Sequence, residues 1–301
     1  RGRSLASALR EAPTLADRLK LLGHFRDACD AVAYAHSRGV VHRDLKPENV
    51  MVGEFGETLV VDWGLAKVKG EKDTRASEIV RRVNVLRGAD AARTMDGHAI
   101  GTPSYMSPEQ ARGDLDAIDE RSDVWGLGAM LFEVLTGQPP YRGKSALAVL
   151  DQVTTRPPPR VREVQKDAPP ELAAIVDRAL VHDPSSRYPG ARELAAEIAA
   201  YQDGGQVKAY EYGSLELLTR FVRRHRAATL AVALLVVAIA VSSVMVLSSY
   251  RETQHALTLA QQGREEADAA RDRAQREAAA AEVALAEALL QRAERALEAA
   301  D

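Results

Sequence analysis

Three side chains between residues 44 and 49 have the types and spacing needed for a group-transfer site. A carboxylate at Asp44 can accept the proton of an incoming hydroxyl, and Lys46, two residues later, can neutralise negative charge on the group being transferred. Asn49, five residues after the aspartate, can turn back to hold a metal ion. The stretch therefore indicates chemistry at a hydroxyl group, assisted by a cation.

Residues 42–50, His42-Arg43-Asp44-Leu45-Lys46-Pro47-Glu48-Asn49-Val50, follow the pattern H-R-D-x-x-x-x-N. This stretch closely resembles the catalytic loop of the protein kinase family, in its Ser/Thr branch. The resemblance implies in-line transfer of the ATP γ-phosphoryl group to a Ser or Thr hydroxyl of a protein. Asp44 would be the catalytic base, Lys46 would contact the phosphoryl group, and Asn49 would bind metal and nucleotide.

A second motif follows the loop and supplies another carboxylate. Residues 60–66, Val60-Val61-Asp62-Trp63-Gly64-Leu65-Ala66, resemble the D-F-G segment of the same family, which implies that Asp62 binds metal and nucleotide. The apolar run over residues 58–61 predicts a short buried strand that ends at this aspartate. Trp63 departs from the usual phenylalanine and carries an N–H that needs a partner if it is buried.

Later motifs resemble the family in their order and distances. Residues 101–109 look like the substrate-docking loop, in which Thr102 would contact the catalytic aspartate and lysine and counts with the catalytic residues. Residues 121–137 resemble the buried central helix, whose Asp123 would hold the catalytic-loop backbone. The resemblance also implies that Arg187 pairs with Glu109. The predicted structural residues are His42, Arg43, Trp63, Gly64, Glu109, Asp123 and Arg187.

The segment from Asp62 to Glu109 is 48 residues long, and its middle part, residues 67–95, is rich in charge. Loops of this length are usually functional or disordered. Two interpretations stay open: a solvated insertion without a task, or a regulatory segment in which an added phosphate pairs with Arg43. Thr94 is preferred as phosphate acceptor because it is nearer the docking loop. The candidate acceptors are Thr74, Ser77, Thr94, Thr102 and Ser104.

Residues 14–37 carry apolar side chains at helical spacing. By resemblance these are the first helices of a kinase C-terminal lobe, a helical fold with a short β hairpin at the catalytic loop. No G-x-G-x-x-G pattern occurs in the 301 residues, so we expect the Gly-rich loop over ATP to lie in a preceding lobe and this piece alone to transfer phosphate poorly. The implied cofactors are ATP and Mg²⁺, for which Mn²⁺ can substitute.

Charge and cysteine content narrow the possible partners. A net charge of −3 gives no reason to expect nucleic-acid binding. The single cysteine, Cys29, lies on the apolar face of a predicted helix, which favours a packed core thiol and excludes a disulfide within the chain.

Residues 227–249 form a run of 23 residues without a charge. As a helix this run would be about 34 Å long, enough to cross a hydrocarbon core of about 30 Å. The preceding residues are basic, with Arg220, Arg223, Arg224 and Arg226, whereas only Arg251 follows closely. The positive-inside rule then predicts a single-pass protein of the inner or plasma membrane with the kinase lobe in the cytoplasm and an extracytoplasmic tail.

The tail is rich in alanine and carries apolar residues at alternating steps of four and three, a short heptad seam. The seam consists of Ala279, Val283, Ala286, Leu290, Ala293, Leu297 and Ala300. A coiled coil that forms a homodimer is one interpretation. A lone helix, or the first helix of a repeat array, is the other.

These observations predict a mainly α-helical chain with four parts: a kinase C-terminal lobe over residues 1–203, a basic juxtamembrane linker over 204–226, a transmembrane helix over 227–249, and a helical or coiled-coil tail over 250–301. The predicted function is that of a bacterial-type membrane-anchored Ser/Thr kinase in signalling. The alternative is a non-catalytic scaffold, a pseudokinase that binds partners and oligomerises through its tail. The intact motif residues favour the enzyme.

Overall fold

The computed structural model describes residues 2–68, 76–88, 103–214, 216–217, 219, 222 and 225–298. Its internal contacts divide the chain into two units, Arg1–Glu211 and Tyr212–Asp301. Helices dominate both units, as the sequence predicts. The helices are α1 (Leu5–Arg10), α2 (Leu15–Leu19), α3 (Leu22–Ser37), α4 (Ala76–Gly88), α5 (Pro108–Arg112), α6 (Glu120–Thr136), α7 (Ala146–Thr155), α8 (Val161–Val164), α9 (Pro170–Ala179), α10 (Ala191–Gln202) and α11 (Arg226–Glu298).

Helix α6 is the centre of the first unit. Its apolar residues occur on all sides, which is typical of a buried helix, and α2, α3, α9 and α10 pack around it. The Asp119 side chain caps its first turn, and Gly137 ends it at φ 79°, a left-handed conformation that glycine adopts without a steric penalty. Gly126 allows the loop that contains Leu45 to lie directly on the helix, because an added Cβ would be 3.1 Å from the Leu45 Cβ.

Two small antiparallel sheets flank the loop of residues 42–49. Strands β2 (Val40–Val41) and β5 (Lys67–Val68) form one of them. The other has the order β1–β3–β4, with β1 (Arg3–Ser4), β3 (Val50–Val52) and β4 (Thr58–Val60). Val50 pairs with Val60, so the residues just before β3 and just after β4 lie at the same end of a hairpin. The predicted strand before Asp62 is present, but the prediction that it is buried is wrong, since Leu59 is 61% exposed.

Helix α4 lies within the charged segment between Asp62 and Glu109, the middle of which carries no long series of apolar residues at regular spacing. Two side chains on one face, Val83 and Leu86, are 2% and 1% exposed. They belong to a helix that packs against α5 and α7. This part of the charged segment is therefore an amphipathic helix packed on the first unit rather than a solvated chain throughout.

The second unit consists mainly of α11, a helix of 73 residues. Its apolar first third is long enough and apolar enough to cross a membrane. Nearly all side chains of residues 227–249 are exposed in the single chain. The helix runs without a break through the predicted boundary at residue 249. In the tail seam, the side chains of Ala279, Val283 and Ala286 are exposed. The predicted basic residues Arg220, Arg223 and Arg224, and Ala300 of the seam, lie outside the described residues.

Candidate active site

The loop between β2 and β3 is held on helix α6 by one carboxylate. Asp123, 1% exposed in the first turn of the helix, accepts the backbone N–H of His42 at 2.7 Å and that of Arg43 at 2.8 Å. The His36 Nε2 lies 2.9 Å from the same carboxylate. Hydrogen bonds to a charged acceptor are among the strongest in proteins. The position of the loop backbone is thus set by a residue about 80 positions later in the chain.

The side chains that could take part in a reaction converge at Asp44. The Lys46 Nζ donates to Asp44 Oδ2 at 2.9 Å, and the Asn49 Nδ2 donates to the Asp44 backbone carbonyl at 2.7 Å. The Asp44 and Lys46 side chains are 14% and 18% exposed. Lys46 and Asn49 therefore both contact Asp44, as the sequence suggests, in a site that solvent reaches only in part.

A fourth residue reaches Asp44 from the amphipathic helix α4. The Arg82 Nη1 lies 2.9 Å from Asp44 Oδ1, and the Arg82 side chain is 18% exposed. Asp44 therefore has a cation on each carboxylate oxygen: Lys46 on one and Arg82 on the other. The sequence contains no signal for this contact, since Arg82 belongs to no motif.

His42 joins the loop to the end of β4. Its Nδ1 accepts the backbone N–H of Asp44 at 3.2 Å, which assigns the ring proton to Nε2, the atom 3.0 Å from the carbonyl oxygen of Val61. The Trp63 ring lies 4.5 Å from the His42 ring, centroid to centroid. The Trp63 indole N–H donates to the Val60 carbonyl at 3.0 Å, so the tryptophan has the hydrogen-bond partner that its N–H requires.

Asn49 and Asp62 lie at the same end of the β3–β4 hairpin, where the Val61 N–H also donates to the Asn49 carbonyl at 2.9 Å. Asp62 has a φ of 63° and Arg43 a φ of 68°, and these are the two non-glycine residues with positive φ among those the structure describes. Such strain, of about 1–3 kcal/mol each, clusters at functional sites. Gly64 follows within the short turn Trp63–Leu65.

The oxygen atoms of Asn49 and Asp62, at this end of the hairpin, are suitable ligands for a hard cation. Asn49 offers an amide oxygen and Asp62 a carboxylate, and the described residues contain no cluster of three or more His, Cys, Asp or Glu that could enclose a metal by themselves. Mg²⁺ accepts this arrangement, because it is commonly held by one or two side chains together with phosphate oxygens and water.

Glu109 and Arg187 form a buried ion pair, with side chains 1% and 0% exposed. The Arg187 Nη1 and Nη2 donate to the two Glu109 oxygens at 2.8 and 3.0 Å, and the Ser122 hydroxyl donates to Oε1 at 2.6 Å. Burial acts to raise the pKa of Glu109, but the hydrogen bonds and the positive charge of Arg187, together with the hydrogen bond from Ser122, outweigh it and hold that pKa below its ordinary value.

Gln110 is a further contact of the loop that the motifs do not include. Its Nε2 donates to the Arg43 carbonyl at 2.7 Å, while its backbone N–H and its Oε1 exchange hydrogen bonds with Ser107 at the start of α5. The Ser-x-x-Gln spacing is a capping-box signal and could have identified the cap. It carries no information about the contact with Arg43.

The candidate phosphate acceptors differ in what the structure describes of them. Ser77 is exposed in the first turn of α4, whereas Ser104 is 2% exposed and sterically shielded. The other three candidates, Thr74, Thr94 and Thr102, lie outside the described residues. The catalytic role predicted for Thr102 therefore stays a prediction.

Comparison with known proteins gives a consistent picture. The family model described as "Protein kinase domain" matches residues 1–198. The chain is 36% identical over 178 residues to the serine/threonine-protein kinase PknB of Mycolicibacterium smegmatis, covering 59% of this chain and 25% of that protein. It is 35% identical over 183 residues to the serine/threonine-protein kinase PknD of Chlamydia pneumoniae, covering 61% and 19%. The matched part is thus about a quarter or less of the length of these relatives.

Proposed function

The chain belongs to the protein kinase family, and from that premise we propose that it acts in transfer of the ATP γ-phosphoryl group to Ser or Thr hydroxyls of proteins. The observation that carries the proposal is the convergence of Lys46 and Asn49 on Asp44, in a loop whose backbone is fixed by Asp123. Phosphoryl transfer requires mainly positioning and charge stabilisation, and this arrangement provides both.

In the proposed mechanism each of these residues has a separate task. Asp44 accepts the proton of the attacking hydroxyl and orients its oxygen towards the phosphorus. Lys46 Nζ lies 2.9 Å from Asp44 in this structure. During the reaction its ammonium group turns to the oxygens of the transferring group and neutralises their negative charge. His42 keeps the loop in register with the end of β4, since its ring bonds to both.

Asn49 and Asp62 would hold Mg²⁺ through an amide oxygen and a carboxylate oxygen. Bound Mg²⁺ neutralises phosphate charge and aligns the phosphoryl group. Asn49 remains able to do this, because its amide nitrogen is the atom used in the hydrogen bond to Asp44, which leaves its oxygen for a cation. The left-handed backbone at Asp62 supports a functional role for that residue as well.

We further propose that residues 1–203 are a kinase C-terminal lobe and need the Gly-rich loop and strand lysine of a preceding lobe for full activity. The chain's apolar helix would be a single membrane span, with the basic residues before it on the cytoplasmic side. The topology is testable in intact cells. A membrane-impermeant maleimide should label Ala270→Cys and leave Lys166→Cys unlabelled; the reverse pattern would refute this orientation.

The catalytic proposal is tested on the full-length protein with radiolabelled ATP and added casein. Asp44→Asn removes the base but keeps the side-chain size, and should lower the transfer rate by about a hundredfold or more. Asp30→Asn, the same change at an exposed position of α3, is the control and should leave the rate unchanged. If Asp44→Asn retains the wild-type rate, the catalytic assignment is wrong, and a scaffold that binds partners becomes the better interpretation.

A further inference from the structure

Helix α4 places a cation on the side of Asp44 that the loop itself leaves uncovered. Lys46, from the loop, contacts Oδ2, and Arg82, from α4, contacts Oδ1 at 2.9 Å. The Arg82 side chain is 18% exposed although it belongs to a helix in a highly charged segment. Its neighbour Arg81 is 76% exposed and bonds within the helix, to Glu78. The two arginines therefore have different environments on one helix.

The apolar face of α4 holds Arg82 in this position. Val83 and Leu86 are 2% and 1% exposed, and Leu86 is part of the hydrophobic core of the lobe. Arg82 directly precedes one of these anchors in the chain. The contact with Asp44 is thus part of a seated helix and not the excursion of a long surface side chain.

A general base must lie within about 2.6–3.2 Å of the hydroxyl whose proton it accepts. In this conformation the carboxylate oxygen not used by Lys46 is occupied by the Arg82 guanidinium, which has only donors and cannot take part in proton transfer. An acceptor hydroxyl therefore reaches Asp44 only after Arg82 has left.

We propose that α4 is an inhibitor in cis, which blocks the acceptor side of the active site through Arg82 and must detach before a protein substrate binds. This inference rests on the proposed function, because it takes Asp44 as the catalytic base. It assigns a task to the inserted segment: the helix keeps the enzyme in a resting state that can be reversed without unfolding the lobe. The opposite possibility, that Arg82 assists the reaction, predicts the opposite effect of its removal.

The test compares phosphate transfer by full-length variants at limiting substrate. Arg82→Ala should raise kcat/KM for the protein substrate by about tenfold, since one charge-assisted hydrogen bond holds the closed state. Leu86→Ala, which loosens the helix and leaves Arg82 intact, should also raise it. Arg81→Ala, the matched control on the exposed face, should not. Unchanged or lower kcat/KM in Arg82→Ala overturns the proposal.

A second readout does not depend on activity. Hydrogen–deuterium exchange over residues 80–88 should be slow in the wild-type protein and in Arg81→Ala. It should be faster in both Arg82→Ala and Asp44→Asn, because each removes one end of the same ion pair. If no variant transfers phosphate but exchange follows this pattern, the proposed function fails and the contact stands. Equal exchange in all four proteins refutes the contact, whatever the activity.

Discussion

Replacing Arg187 by methionine should destabilise the kinase unit more than any single change at its surface. The guanidinium donates five hydrogen bonds, two to the Glu109 carboxylate and one each to the carbonyls of Val181, Arg121 and His182. It also lies 4.9 Å from the centre of the Trp125 ring. Methionine has a similar length but no donors, so among the described residues Ser122 would be the remaining side-chain donor to the buried Glu109 carboxylate.

The magnitude follows from the burial of the pair. Removing one partner of a buried ion pair costs about 3–5 kcal/mol. For a domain of this size each kcal/mol lowers the melting temperature by roughly 2–4 °C, so we expect a decrease of about 6–20 °C near neutral pH. In the double variant Arg187→Met/Glu109→Gln the stranded charge is gone. Its stability should therefore exceed that of Arg187→Met by about 2 kcal/mol.

The pH dependence separates this explanation from a simple loss of packing. In the wild-type protein the pKa of Glu109 lies below its ordinary value, so its contribution to stability is present above the unfolded pKa and is lost as the pH falls through the folded pKa. Without Arg187 burial dominates and raises the pKa of Glu109. The variant then gains stability at acid pH relative to neutral pH, and the difference between the two proteins should narrow from pH 8 to pH 5.5.

The assay is thermal unfolding of the detergent-solubilised full-length protein, followed by tryptophan fluorescence, to which the buried Trp125 contributes. Arg192→Met, an exposed position on α10, is the control and should shift the melting temperature by little. A decrease of less than about 3 °C for Arg187→Met, or a decrease that is the same at both pH values, would refute the reasoning, since neither is compatible with a stranded buried charge.

Three further predictions concern single residues. Asp123→Asn should slow phosphate transfer at least about tenfold with a smaller change in the KM for ATP, because an amide nitrogen replaces an oxygen that accepts from the loop backbone; steady-state kinetics will decide, and an unchanged kcat would contradict the anchoring role. Trp63→Phe loses the N–H bond to the Val60 carbonyl and replaces the ring beside His42 by a smaller one, so it should cost about 0.5–1.5 kcal/mol in unfolding free energy while transfer persists. Complete loss of transfer would show that the indole has a further task. Burial raises the pKa of Cys29 well above its ordinary value, so maleimide should label it only after denaturation, and rapid native labelling at pH 8 would show that the helix opens.

The parts of the site that the sequence predicts best are those formed by residues close together in the chain. Asp44, Lys46 and Asn49 lie within six positions, so their order alone restricts how far apart they can be. The helical pattern of residues 14–37 also predicted helices correctly, although it did not show the interruption between α2 and α3 at Lys20 and Leu21. A local pattern contains the propensity for a helix but little about where tertiary packing ends it.

Contacts between distant segments could be inferred only from a family motif or seen only in the structure. The approach of Asp123 to the catalytic loop and the pairing of Glu109 with Arg187 were inferred from resemblance, and nothing in the spacing of these residues would have suggested them. Gln110 contacts the same loop, and His36 contacts Asp123, the residue that holds it. Both lie outside any motif considered, and only the fold brings them there. The exposure of Leu59 has the same origin: the apolar run predicts a strand, but whether a neighbour covers it is a property of the whole chain.

Arg82 shows the limit of inference from a family motif most directly. A motif predicts the contacts that members of the family share. Arg82 lies between two motifs, in a long segment, 38 residues after its partner Asp44. Its position depends on two apolar side chains, Val83 and Leu86, that look unremarkable among many charges. In the regulation proposed above, the resting and the active states both use Asp44. Such regulation would not require a separate site, because a helix that competes for the proposed base couples its own release directly to the chemistry.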